Sequence, residues 1–254
     1  GNEMQFILSE REYIEKIMET NEVPSDLSKK YLINLMVKYF YQVEKKDKKE
    51  TLSIVKEKML GFNFDITEYQ EYQWVDYMES TFESVKSNNR ALRDIMKVPL
   101  YESEQKKIEA LELDKEKKVL FAMYIIARAS NGNGWINLEQ KEIFKLANVS
   151  TTISNQVDML HKFYKLGLIQ LSRKINNTSI MVELADESEE VVFEVTNLDK
   201  LGNQYLGKFK EGYKQCENSK CGKVFKKRGN KSMYCTKCSN EKELERYKKY
   251  NEKR

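Results

Sequence analysis

The sequence predicts a mainly α-helical protein built in three parts, and three observations carry that expectation. Only two prolines and ten glycines interrupt 254 residues, so long helices are free to form. The chain is 33% charged and 40% hydrophobic, the composition of a globular protein with solvated helix faces. All four cysteines fall in one C-terminal window, which marks off a small module of its own. The expected parts are a helical bundle over 1–112, a helical segment with a small β-hairpin over 113–198, and a connector with the cysteine module over 199–254.

In the first part, residues 7–20 place Ile7, Tyr13, Ile14 and Ile17 at helical spacing. A turn around Pro24 follows, with Ser25 as the expected N-cap of a helix running to about Glu44 through Tyr31, Leu32, Leu35, Met36, Tyr39 and Phe40. Lys45 to Glu50 reads as a charged loop. Helices are expected near 50–60 and 67–86, the second carrying Tyr69, Tyr72, Trp74, Tyr77 and Phe82 as a stripe that reads as bundle core in preference to a binding groove. Residues 90–115 read as a connection.

The middle part is more specific. A strongly apolar helix spans Glu116 to Ser130, and Asn131-Gly-Asn-Gly134 forces a turn. A short strand at Trp135 to Asn137 and a helix from Leu138 to Leu146 follow. A third helix, about Thr151 to Lys165, is closed by Gly167. Strands at 168–173 and 179–184 flank a turn rich in asparagine, and 191–195 adds another strand. Helix, strand, helix, turn, helix, hairpin is the order of a winged helix-turn-helix. The runs Ile143 to Val149, Ser150 to Leu160 and Lys165 to Ile169 resemble the second helix, recognition helix and first wing strand of bacterial winged-helix regulators. That resemblance implies a recognition helix with Ile153, Val157, Leu160 and Tyr164 toward the core. Thr151, Thr152, Asn155, Gln156, Met159 and Lys162 would face outward, with Arg173 and Lys174 on the wing. Asp158, on or near that outer face, opposes contact with a polyanion.

The cysteines read Cys216-x4-Cys221 and Cys235-x2-Cys238. Two close pairs can bring four thiolates to the corners of one tetrahedron, which suits a single structural Zn²⁺ in a reducing cytoplasm better than two disulfides. Gly222 suits a tight knuckle, Lys223 to Met233 can form a hairpin around Gly229-Asn230, and Ser239 to Lys253 reads as a helix. Knuckle, hairpin and a helix starting at the last two ligands resemble the treble-clef zinc finger, with Phe225 and Tyr234 as its small core.

Charge is uneven along the chain. Residues 207–254 carry 16 Lys/Arg against 6 Glu, a net +10, while the remainder carries −6. Such a tail implies a polyanionic partner. Lys223, Lys226, Lys227, Arg228 and Lys231 crowd the segment between the cysteine pairs, and Lys242, Arg246, Lys249 and Lys253 share one helical face. No catalytic constellation stands out. His161 is the one histidine, and neither GxxxxGK[ST] nor GxGxxG occurs. The N-terminus lacks an export pattern and no apolar run is long enough to span a bilayer, so a cytoplasmic protein without a membrane partner is expected. The expectation is thus a duplex-DNA-binding protein rather than an enzyme. Its layout resembles that of uncharacterised phage and mobile-element proteins of low-GC Gram-positive bacteria, which implies transcription regulation or replication of such an element. The alternatives are a protein-interaction module, such as an inhibitor of a host polymerase or defence complex, and RNA contact by the tail.

Overall fold

The computed structural model describes residues 6–62, 68–130, 132–174 and 177–253, and of residues 68, 69, 173, 174, 177 and 178 it describes the backbone alone. The chain divides into two compact units, Gly1–Met96 and Lys97–Arg254.

The first unit is helical. Its elements are α1 (Glu10–Thr20), α2 (Lys29–Lys38) continued by a π-helical turn (Tyr39–Val43), α3 (Lys48–Gly61) and α4 (Glu68–Asn88). Ser9, Ser28 and Asp47 cap the first three helices, each side chain accepting the backbone N–H three residues on. The cap of α2 is therefore Ser28 and not Ser25, because Leu27 N–H first closes a turn on the Pro24 carbonyl. Asp47 likewise starts α3 inside the stretch expected to be a charged loop. The core gathers Ile14, Ile17, Leu32, Leu35, Met36, Val55, Met59, Met78, Phe82 and Val85. Each such side chain contributes about 1.5–3 kcal/mol by leaving water. The aromatic stripe of α4 is divided: Phe82 is buried, Trp74 and Tyr77 are half-buried, and Tyr72 is exposed. The Tyr69 side chain lies outside the described residues.

The second unit opens with β1 (Val98–Tyr101) and α5 (Glu102–Glu109), in a stretch expected to be a connection. Next come α6 (Asp114–Ser130), β2 (Trp135–Ile136), α7 (Gln140–Leu146), α8 (Ile153–Lys165), β3 (Ile169–Lys174), β4 (Asn177–Val182), β5 (Val191–Val195) and α9 (Leu201–Phe209). It ends with β6 (Tyr213–Gln215), β7 (Val224–Lys226) and α10 (Thr236–Glu252). Helix α6 is buried continuously from Val119 to Ala127 and forms the axis of the unit, as expected of a helix apolar all round. A sheet of order β2-β4-β3 lies beside it, with Ile136 opposite Ile180 and Ile169 opposite Val182. Strand β5 pairs antiparallel with β1, about ninety residues earlier, setting Leu100 opposite Phe193.

Helix α9 is part of the core and not merely a connector. Leu201, Tyr205 and Leu206 are buried, and Tyr205 stacks 5.1 Å from Phe121 and 4.8 Å from Phe209 between ring centroids. A Cβ on Gly202 would stand 2.1 Å from the Ala147 carbonyl oxygen, so only glycine lets α9 approach α7 so closely. A buried ion pair joins three elements: Arg128 donates to Glu104 at 2.6 Å and to the Pro99 carbonyl at 2.7 Å, and Glu104 also accepts from Tyr101 and Ala185 N–H.

Candidate metal centre and nucleic-acid interface

Each cysteine is placed by local chain geometry. Cys216 follows β6, and its N–H donates to the Lys223 carbonyl at 2.7 Å, closing the loop that carries Cys221 and Gly222. Asn218 folds that loop. Its carbonyl accepts from Cys221 and Gly222 N–H, and its side-chain oxygen accepts from Lys220 N–H. Gly222 has φ +57°, in the left-handed region that favours glycine. Cys235 is the N-cap residue of α10, and Cys238 sits in its first turn. The first turn of the helix thus carries both sulfurs at the positive end of its dipole.

The four Sγ atoms lie within 4.8 Å of one another, and Cys221 Sγ is 3.8 Å from Cys235 Sγ. A regular tetrahedron with metal–sulfur bonds of about 2.3 Å has edges of about 3.8 Å, so the donor set fits a single ion of zinc's size and softness. The cluster can hold one metal ion and is compatible with one zinc. Two N–H donors point at the sulfurs: Cys235 N–H to Cys216 Sγ and Asn218 Nδ2 to Cys238 Sγ, both at 3.4 Å. The Cys238 backbone N–H draws the Cys235 thiol down to about 7. At Cys238, the Asn218 amide pulls down while burial and the three neighbouring thiols push up, leaving that thiol at about 12. One sulfur is therefore ready to bind as thiolate and another gives up its proton only to a metal.

Phe225 and Tyr234 pack on the cluster, as the sequence suggests. The expected hairpin within 223–233 is displaced. Val224–Lys226 pairs backward with Tyr213–Gln215, around the knuckle, and residues 227–235 form a loop. That loop is held by Ser232, whose hydroxyl accepts from Arg228 and Gly229 N–H, and by Lys227 N–H donating to the Gly212 carbonyl. Asn203 on α9 donates to the Gly222 carbonyl at 3.0 Å, anchoring the knuckle to the core of the unit. Asn218 and Asn203 were not legible as site residues in the sequence; the one available signal is an asparagine two positions after a ligand cysteine.

Lys223, Lys226, Lys227, Arg228 and Lys231 are all exposed, and among the described residues none of them forms an ion pair. Arg228 is steadied by a hydrogen bond to the Tyr234 carbonyl, and Lys242 lies over the Tyr234 ring and donates to its hydroxyl at 2.7 Å. Arg246 and Lys249 are exposed farther along α10.

Helix α8 is rotated from its expected orientation. Gln156, Met159, Leu160 and Phe163 face the core, whereas Ile153, Val157 and Tyr164 are 74%, 36% and 54% exposed. Gln156 and Met159, expected outside, are inside: the Gln156 amide oxygen accepts from Gln140, so its burial leaves that oxygen paired. Lys162 is held at 2.8 Å by the buried Glu116 carboxylate. Thr152 caps the helix through Asn155 N–H, and the Asn155 amide donates to Thr151. Asp158 and His161 are exposed. The Arg173 and Lys174 side chains lie outside the described residues.

These features define a predominantly helical protein with a four-cysteine cluster that could hold one metal ion. Comparison with family models, curated proteins and solved structures finds no match to this chain. Among the described residues, no helix is long and apolar enough to cross a membrane.

Proposed function

We propose that this chain is a nucleic-acid-binding protein whose basic contact surface is organised by one structural zinc ion. Cys216, Cys221, Cys235 and Cys238 would hold the ion with all four positions filled, which supplies folding energy to a segment with little core of its own. The observation that carries the reading is the segment between the two cysteine pairs, where five cations stand exposed and, among the described residues, without ion-pair partners on a backbone fixed at both ends. An unpaired, preordered cluster of this kind gains most by replacing the counterions around a phosphate backbone. Duplex DNA is the partner we favour.

Two further readings accompany it. The sheet order β2-β4-β3 behind α6, α7 and α8 supports a winged helix, and the knuckle, paired strands and ligand-bearing helix support a treble clef. Regulation or replication of a phage or mobile element is the role we attach to them. A specific observation favours a second use of the winged segment. The outer face of α8 carries Ile153, Val157 and Tyr164 together with Asp158, while Lys162 is tied to Glu116. An apolar stripe with a carboxylate suits a protein surface better than a phosphate groove. DNA contact is accordingly assigned to the zinc loop and α10, with Thr151, Thr152 and Asn155 adding hydroxyl and amide donors at the start of α8.

The test is fluorescence anisotropy of the metal-loaded chain with duplex DNA, single-stranded DNA and RNA of matched length over a salt series. The proposal expects duplex binding that weakens linearly in log–log form with salt. Absence of binding to any of the three at low salt would leave the protein-docking reading.

A further inference from the structure

We propose that α10 pairs antiparallel with α10 of a second copy of this chain. The surface involved is distinct from the lysine face described above. From Asn240 to Glu252 every residue of α10 is exposed, with Lys242 resting on the Tyr234 ring. Helices in proteins owe most of their stability to a packed face. Such a face is present. Asn240, Leu244, Tyr247 and Asn251 recur at spacings of four, three and four, which places them on one side of the helix. Leu244 and Tyr247, in the middle of that line, are 60% and 61% exposed. Lys242, Arg246, Lys249 and Lys253 follow the same spacing on the opposite side.

The occupant is set by self-complementarity. With Leu244 opposite the partner's Tyr247, a two-fold axis between them brings Asn240 opposite the partner's Asn251. A polar residue at each end of a short apolar seam fixes register, because an asparagine amide left buried without a partner costs more than it returns. Beside the seam, Glu241 of each copy then faces Lys248 of the other, and among the described residues neither is committed to an ion pair within its own chain. The antiparallel sense follows from charge. The net +10 of residues 207–254 is concentrated toward the cysteine loop, so parallel pairing would bring the two cation-rich loops together, and antiparallel pairing separates them and opposes the helix dipoles. The lysine faces stay outward on both helices, so a duplex could be contacted by two symmetry-related basic surfaces.

The experiment is sedimentation equilibrium of the full, zinc-loaded chain from about 10 µM to about 1 mM, the range in which a small interface associates. A reversible dimer is expected. Glu241→Lys alone and Lys248→Glu alone should each weaken it by about tenfold, since each sets like charges face to face twice. The double variant should restore the parent affinity. Leu244→Ser should give a monomer that still holds one metal ion per chain. A wild-type chain that stays monomeric to the top of that range overturns the proposal. So does a dimer that ignores the single reversals, or one that the double reversal fails to restore.

Discussion

Cys221 Sγ and Cys235 Sγ lie 3.8 Å apart although they stand fourteen positions apart in sequence, one on the knuckle between β6 and β7 and the other at the N-cap of α10. That distance is the edge of a metal–sulfur tetrahedron, and the apolar contact between the two segments is confined to the cysteines, Phe225 and Tyr234. Removing one ligand should therefore unmake the module. Cys238→Ser is expected to lose the bound metal and the NMR dispersion of residues 213–239, while unit 1 keeps its spectrum. Metal analysis of the reduced wild type should return one zinc per chain. Retention of one metal by the serine variant would contradict the four-ligand assignment.

Metal loading should depend on pH with a definite sign. Cys235, drawn down to about 7, is ionised in the folded metal-free chain while an ordinary thiol is still protonated. Its contribution to stability is present above the ordinary thiol range and is lost as pH falls through about 7. Cys238, held at about 12, must surrender its proton to the metal. Zinc affinity is thus expected to fall steeply from about pH 7.5 to about pH 5.5, with proton release on binding at neutral pH measurable by calorimetry in buffers of different ionisation enthalpy. A flat profile would place the metal elsewhere.

The Glu104–Arg128 pair makes a prediction about unit 2 as a whole. Glu104 is 1% exposed and accepts from three donors on separate elements. Glu104→Gln strands the Arg128 guanidinium and should cost about 3–5 kcal/mol, read as a lowered denaturant midpoint for unit 2. Unit 1 should be unaffected.

The outer face of α8 separates two uses of the winged segment. Val157→Glu adds charge to a site 36% exposed and should lower stability by about 1 kcal/mol, leaving the chain folded. If that face docks a protein, DNA affinity should be unchanged. A loss of duplex binding larger than that of an added charge at a remote surface would extend the DNA interface from the start of α8 along its outer face.

What the sequence revealed, and what it did not, follows from the range of the interactions concerned. The thiolate window was legible because ligand spacing, the knuckle glycine and the helix after Cys238 are all local. The existence of α6, α7, α8 and the β3–β4 hairpin was legible from periodicity and turn residues. The rotation of α8 was not. The stripes 153/157/160/164 and 156/159/160/163 share Leu160 and are both helical in period, and the choice between them is made by Gln140, which pairs the Gln156 amide from another helix. Strand β1 was missed because it is short, contains Pro99 and finds its partner only at Val191–Val195. The core role of α9 depends on Gly202, whose value as a point of close approach is visible only once Ala147 is beside it.

The most direct measurement is the salt dependence of duplex binding for wild type and for Lys226→Ala/Lys227→Ala/Arg228→Ala, both with metal bound. Three lost phosphate contacts should lower the slope of log affinity against log salt by about 2.7 and weaken binding uniformly across DNA sequences. An unchanged affinity and slope, in a variant that still holds its metal, would contradict the assignment of this loop as the nucleic-acid surface.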